Sequence, residues 1–223
     1  MLIGPGGGEV IGDSPERRVE LLSDHPSLHA TWSRFAAGRA GADLHVHRRH
    51  TDLFYVLDGE LTVRLGVEGA EVVVPAGHVA RVPPLVVHGF RNGSDAEMRY
   101  LNFHAPGVGF ADYMRGIRDG RPLSYDQEPP PDSGTRPPSE AAISPPPVKV
   151  DAIAIAEVSD VALGASPALE SYYVLEGVAE FVVDGEPLTA EAGSWVQIPP
   201  GVEHAASGAR LLSVRAPAGE LRH

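Results

Sequence analysis

The sequence predicts an all-β protein built from two related units, and three observations carry that prediction. Glycine and proline are abundant, 25 and 21 in 223 residues, and each costs about 1 to 3 kcal/mol inside a helix, which excludes a long-helix or coiled-coil architecture. Short runs rich in β-branched and aromatic residues alternate with turn signals along most of the chain. Two of these runs also occur twice, in the same order. YVLDGELTVRL from Tyr55 matches YVLEGVAEFVV from Tyr173, and PAGHVARVPPLVVH from Pro75 to His88 matches AEAGSWVQIPPGVEH ending at His204. The offset is 118 residues at Gly59 and Gly177 and 116 at Gly77 and Gly193, so the second copy is two residues shorter between these points, as a trimmed hairpin in a repeated β unit would be.

In chain order, MLIGPGGGEV has neither a basic region nor an apolar run, and its glycines lack the following GK[ST] of a phosphate loop. It reads as a flexible lead-in to a soluble, cytoplasmic protein, and no stretch of 18 apolar residues follows that would cross a membrane. DLHVH, 43–47, reads as a strand with His45 and His47 on one face. TDLFYVLD follows and turns at Asp58-Gly59 into LTVRLGV, Leu61 to Val67; VARVPPLVVH ends at His88 before an Asn92-Gly93 turn. YLNFHAPG sets Tyr100, Asn102 and His104 on one strand face. The one helix expected runs from Val108 to Gly120, with Phe110, Tyr113, Met114 and Ile117 at helical spacing before a glycine stop. From 122 to 147 nine of 26 residues are proline, which predicts a semi-rigid spacer. The expected organisation is therefore 1–121, a linker 122–147, and 148–223, where EFVVD turns at Asp184-Gly185.

Composition narrows the chemistry. With no cysteine there is no disulfide, thiolate metal site or thiol nucleophile, so any metal falls to histidine and carboxylate. A net charge of -12, with Lys149 the single lysine, argues against nucleic acid as a partner. Serines are plentiful without a GxSxG elbow.

Histidine is concentrated in the first unit: His25 and His29, then His45, His47, His50, His78, His88 and His104, against His204 and His223 after the proline-rich stretch. His45 and His47 can converge on one ion, with Asp52 and His88 on neighbouring segments. Three imidazoles and a carboxylate suit one divalent Fe, Mn, Ni, Cu or Zn better than Ca or Mg. A lone HxH is equally compatible with ordinary surface or core histidines. Phe54, Val56 and Phe90 share parity with these residues and would line an apolar wall.

The full pattern is more specific. Gly41-x3-HxH-x4-Asp52-x6-Gly59, followed by Pro75-x-Gly77, His88 and Asn92, resembles the two signature motifs of the cupin superfamily over about 43–92, and the second copy resembles them again around Glu170 and from Gly193 to His204. The resemblance implies two double-stranded β-helix (jelly-roll) barrels, a bicupin, with one metal held in the first barrel by His45, His47, Asp52 and His88. Asp52 departs from the family's usual Glu and is shorter by one methylene, which leaves open direct ligation, a supporting role, or replacement by His50 or water. In the second copy Leu163 and Ala165 stand where His45 and His47 would be, so that barrel is expected to be degenerate and metal-free, its Glu170 and His204 a buried pair.

The layout is also loosely similar to quercetin-dioxygenase-like cupins, which implies a metal-dependent enzyme acting on a small organic molecule, with Asp52 as general base and His104 contacting substrate or donating a proton. A non-catalytic small-molecule binder or sensor, and a cupin isomerase, are the alternatives. Both a monomer that mimics a dimer and a true homodimer fit two linked barrels.

Overall fold

The computed structural model describes residues 1–121, 123–150 and 152–217; His223, counted above, lies outside them. Among the described residues the chain is all-β apart from one α-helix and a single 3-10 turn, Pro138–Glu140. No helix among the described residues is long and apolar enough to cross a membrane. Contacts divide it into two compact units, Glu9–Pro145 and Met1–Gly8 with Pro146–His223.

In the first of these, a seven-stranded antiparallel sheet runs in the order Ala142–Ser144, Val79–Val82, Thr51–Asp58, Met98–Ala105, Leu28–Phe35, Arg17–His25, Glu9–Asp13. A three-stranded sheet is formed by Ala70–Pro75, Glu60–Leu65 and His88–Arg91. The core draws on both: Phe35, Phe54, Val56, Met98 and Tyr100 from the larger sheet, Leu61, Val63 and Val74 from the smaller, with Phe90 packed against them. Two-residue periodicity then places Asp52 on the same inward face as Phe54 and Val56. The turn at Asp58-Gly59 requires its glycine twice over. The φ of Gly59 is 72°, and a Cβ there would sit 2.7 Å from the carbonyl oxygen of Glu97.

The other unit holds an eight-stranded sheet whose main path is Leu2–Ile3, Trp195–Ile198, Leu169–Val183, His204–Ala216, Ile153–Val158, Val148–Val150, with Val161–Gly164 beside His204–Ala216 and Glu186–Glu191 beside Leu169–Val183. Tyr172, Val174, Phe181, Val196, Ile198 and Leu211 form its core. The two-residue difference between the copies lies where expected. Residues 66–69 join the hairpin strands in the first unit, and Asp184-Gly185 alone does so in the second, both at positive φ, the geometry of a tight hairpin turn.

Two expected boundaries differ from those observed. The lead-in 1–8 belongs to the C-terminal unit, with Leu2 opposite Val196 and Ile3 opposite Trp195. The stretch 122–147, expected to be a spacer, is largely built into the first unit, where Ala142–Ser144 pairs with Val79–Val82. Val79–Val82 and Trp195–Ile198 are repeat equivalents, so each copy's edge strand is covered by a segment from outside the repeat, which removes an exposed pairing edge. Proline removes donors but leaves carbonyls, and the short proline-free pieces supply the N–H groups that pair. The helix is shorter than expected, Phe110–Arg118, preceded by Gly109 at φ 86°.

Candidate metal centre

His45 and His47 do not lie in a regular strand, contrary to expectation. They sit on an extended stretch held by isolated bridges: His45 exchanges backbone hydrogen bonds with His88 at 2.8 and 2.9 Å, and Val46 with Glu128 at 2.9 and 3.0 Å. Val46 is fully buried on the opposite side, so the two imidazoles still leave the backbone together. The structure brings His45, His47, Asp52 and His88 into one cluster, each offering a ligand atom within 4.8 Å of the others, and none is more than 5% exposed.

Hydrogen bonds fix how these rings present themselves. Nδ1–H of His45 donates to the carbonyl of Asp43 at 2.7 Å, that of His88 to the carbonyl of Val86 at 3.0 Å, and that of His47 to the carbonyl of Asp126. Each neutral ring therefore turns an unprotonated Nε2 inward. The Nε2 atoms of His45 and His47 approach to 3.2 Å, and Oδ2 of Asp52 lies 3.3 Å from Nε2 of His88 and 3.7 Å from Nε2 of His47. Lone pairs facing one another in this way repel unless a cation lies among them. The donor set, three imidazoles and one carboxylate, fits a first-row divalent ion in an open site. Burial, reinforced by the neighbouring His88 and His47, pushes His45 down to about 3, so near neutral pH it offers a lone pair and not a proton.

Asp52 reaches the centre despite its short side chain because its strand lies against Val79–Val82 and Met98–Ala105 on either side. Its other oxygen, Oδ1, accepts a hydrogen bond from Nδ2 of Asn102, which also donates to the carbonyl of Leu53 at 3.1 Å. That fixes the amide, so Oδ1 of Asn102 accepts from Nε2–H of His104 at 2.8 Å. His104 stacks on Phe110 with ring centroids 3.8 Å apart, and burial holds it well below an ordinary imidazole.

The supporting residues Tyr125 and Asp126 lie in the segment expected to be a linker. Oδ1 of Asp126 accepts from the backbone N–H of Arg48 at 3.0 Å, and Oδ2 from that of Arg49 at 2.8 Å and from Nδ1–H of His50 at 2.9 Å. One aspartate thus clamps the loop after HxH while its own carbonyl orients His47. The only sequence cue was an aromatic-acidic pair, Tyr125-Asp126, inside a proline-rich run.

A cavity of about 210 Å³ opens onto His45, His47, Asp52 and His104. Phe90 forms part of its apolar wall, and Phe110, Tyr113, Met114 and Ile117 bring the helix onto it. Arg17 also lines it, with no carboxylate at salt-bridge distance among the described residues.

The second unit differs where the repeat predicts its counterpart. Leu163 and Ala165 are both exposed. His204 donates from Nδ1 to the carbonyl of Val202 at 3.1 Å and turns Nε2 to the Tyr172 hydroxyl at 2.8 Å, with Glu170 Oε2 at 3.3 Å. The other oxygen of Glu170 is paired with the buried Arg215 guanidinium.

A two-sheet antiparallel β fold with a buried histidine and aspartate cluster that could hold a metal ion defines the class of small β proteins to which the site points. Comparison with protein families places the chain within it: the Cupin domain model matches residues 31–104 and 165–214, more than half of the sequence, and the chain belongs to that family. No curated protein matches it. Among solved structures, YlbA of E. coli is similar over 100% of this chain and 92% of its own, at 12% identity and a TM-score of 0.71. The oxalate decarboxylase of Lactobacillus farciminis, in a formate complex, is similar over 98% of this chain and 86% of its own, at 13% identity and a TM-score of 0.65. A variant of the B. subtilis oxalate decarboxylase gives 97% and 77%, 14% and 0.63. At such identities the likeness is one of fold.

Proposed function

We propose that this chain is a bicupin whose first barrel is a metal-dependent enzyme acting on a small organic acid, enol or diketone, and whose second barrel is a metal-free structural copy. The observation that carries the reading is the convergence of three carbonyl-anchored imidazole lone pairs and the Asp52 carboxylate on a largely apolar cavity. A divalent ion held by His45, His47, Asp52 and His88 would supply Lewis acidity toward a substrate oxygen.

The chain's own groups would do the rest. Arg17, the one cationic side chain on the cavity wall, would pair with a substrate carboxylate or enolate. Phe90, Phe110 and Tyr113 would exclude water, and His104, linked to Asp52 through Asn102, would hold a proton at the cavity edge. The volume falls below the roughly 300–1,000 Å³ of drug-sized sites, which favours a dioxygenase-like or decarboxylating reaction on a compact substrate over one on a flavonol.

One observation favours the second reading, a non-catalytic binder. Asp52 is the sole carboxylate lining the cavity, and its two oxygens face Asn102 and His88, so it is not free to act as a general base toward a substrate. Oxygen uptake and carbon dioxide release with a panel of small diketones, 2-oxo acids and dicarboxylates decides between them. Turnover that is lost on chelation and restored by Fe²⁺ or Mn²⁺, with an increased KM in Arg17→Gln, supports the enzyme. Tight binding of panel members without turnover supports the binder.

A further inference from the structure

A second group of imidazoles lies beside the first. His47, His50 and His104 are all buried and offer ligand atoms within 4.8 Å of one another. The outer nitrogen of each ring is already committed: Nδ1–H of His47 to the carbonyl of Asp126, Nδ1–H of His50 to the Asp126 carboxylate, and Nε2–H of His104 to Oδ1 of Asn102. The Asn102 amide cannot be turned to relieve this, because its Nδ2 serves Asp52 and Leu53. The nitrogens that remain, Nε2 of His47, Nε2 of His50 and Nδ1 of His104, are therefore acceptors. Those of His50 and His104 stand 2.9 Å apart.

Tyr125 brings its hydroxyl to both, 2.6 Å from His104 and 3.0 Å from His50. It has one proton and can satisfy one of them. A hydrogen-bonded core would leave two imidazole lone pairs facing each other in a buried space, which is costly. A divalent cation accepts all three nitrogens at once.

We infer that His47, His50 and His104 form a second cation position in the first unit, distinct from the His45, His47, Asp52 and His88 set. Nε2 of His47 is common to both and binds one metal at a time, so the two positions are alternatives for a single ion. Their chemistry differs. The Asp52 set offers a carboxylate and accommodates Mn²⁺, whereas an all-imidazole set, with a phenol beside it, selects Co²⁺, Ni²⁺, Cu²⁺ or Zn²⁺.

The test is Co²⁺ and Mn²⁺ binding by the full chain carrying His45→Ala and His88→Ala, followed by elemental analysis after desalting and by visible absorption for Co²⁺. The inference expects one equivalent of Co²⁺ retained, no Mn²⁺, and loss of the Co²⁺ when His50→Ala and His104→Ala are added. A folded His45→Ala/His88→Ala chain that binds no Co²⁺, beside a wild type that does, would overturn the second position and leave the function proposed above intact; a wild type that binds neither ion would overturn both. Should the double variant not fold, His50→Gln in the otherwise native chain is expected to change the Co²⁺ spectrum while Mn²⁺ binding stays at one equivalent. An unchanged spectrum overturns the inference.

Discussion

The two units place different side chains opposite equivalent carboxylates, a neutral imidazole in one and a guanidinium in the other. In the first, His104 is the register partner of Asp52 on the adjacent strand; in the second, Arg215 is the register partner of Glu170. Arg215 and Glu170 are both buried and paired. The guanidinium carries a permanent charge, so the second unit neutralises its carboxylate with a cation attached to its own backbone. The first surrounds Asp52 with imidazoles that their hydrogen bonds hold as neutral acceptors, and leaves the positive charge to come from elsewhere. Two units that share a sequence repeat thus differ, one core being sealed by an ion pair and the other lining its carboxylate with imidazole acceptors.

Removing the built-in cation is expected to produce the largest effect. Arg215→Ala strands a buried Glu170 carboxylate and should destabilise the second unit by about 3–5 kcal/mol, whereas Glu170→Gln combined with Arg215→Met should restore most of that. The chain's two tryptophans fall one to each unit, so Trp32→Phe leaves Trp195 as a reporter of this transition in urea.

Acid should separate the units next. Burial, with His47 nearby, lowers His50 to about 4 from an ordinary value of 6.5. Between those values the unfolded chain binds a proton that the folded chain does not, so metal-free stability falls as pH drops through this window and is fully present above about 6.5. His50 alone accounts for about 3 kcal/mol of that loss. Urea melts of chelated Trp195→Phe protein, followed through Trp32, measure it, and a transition midpoint independent of pH from 7 to 4.5 would contradict the assignment.

A smaller effect is expected at Asp126, which touches no ion but orients His47 and His50. Asp126→Ala should weaken metal binding by about 10- to 100-fold in competition with a chelator, with Asp126→Asn intermediate because it keeps an acceptor for the Arg48 and Arg49 N–H groups. Equal affinities in all three proteins would reduce Asp126 to a loop contact.

The sequence makes the metal-ligand candidates legible because they are local: HxH and Asp52 fall within eight consecutive residues, and strand periodicity orients them. His88 is found by the repeat, through its match to His204. Asp126 and Tyr125 are not legible, since nothing in a proline-rich run announces that its short proline-free pieces fold back onto a loop 75 to 79 residues earlier. Arg215 escapes for another reason. Its role depends on a strand register, Glu170 opposite Arg215, that no motif records. The edge strands 2–3 and 142–144 are likewise set by long-range pairing and not by local pattern.

The contrast between the units is tested most directly by the metal content of untagged protein after supplementation with each first-row divalent ion. One equivalent per chain is expected, abolished by His47→Ala, which removes the shared ligand, and unchanged by His204→Ala. A wild type that retains no metal, or a His204→Ala variant that loses half of it, would contradict the account.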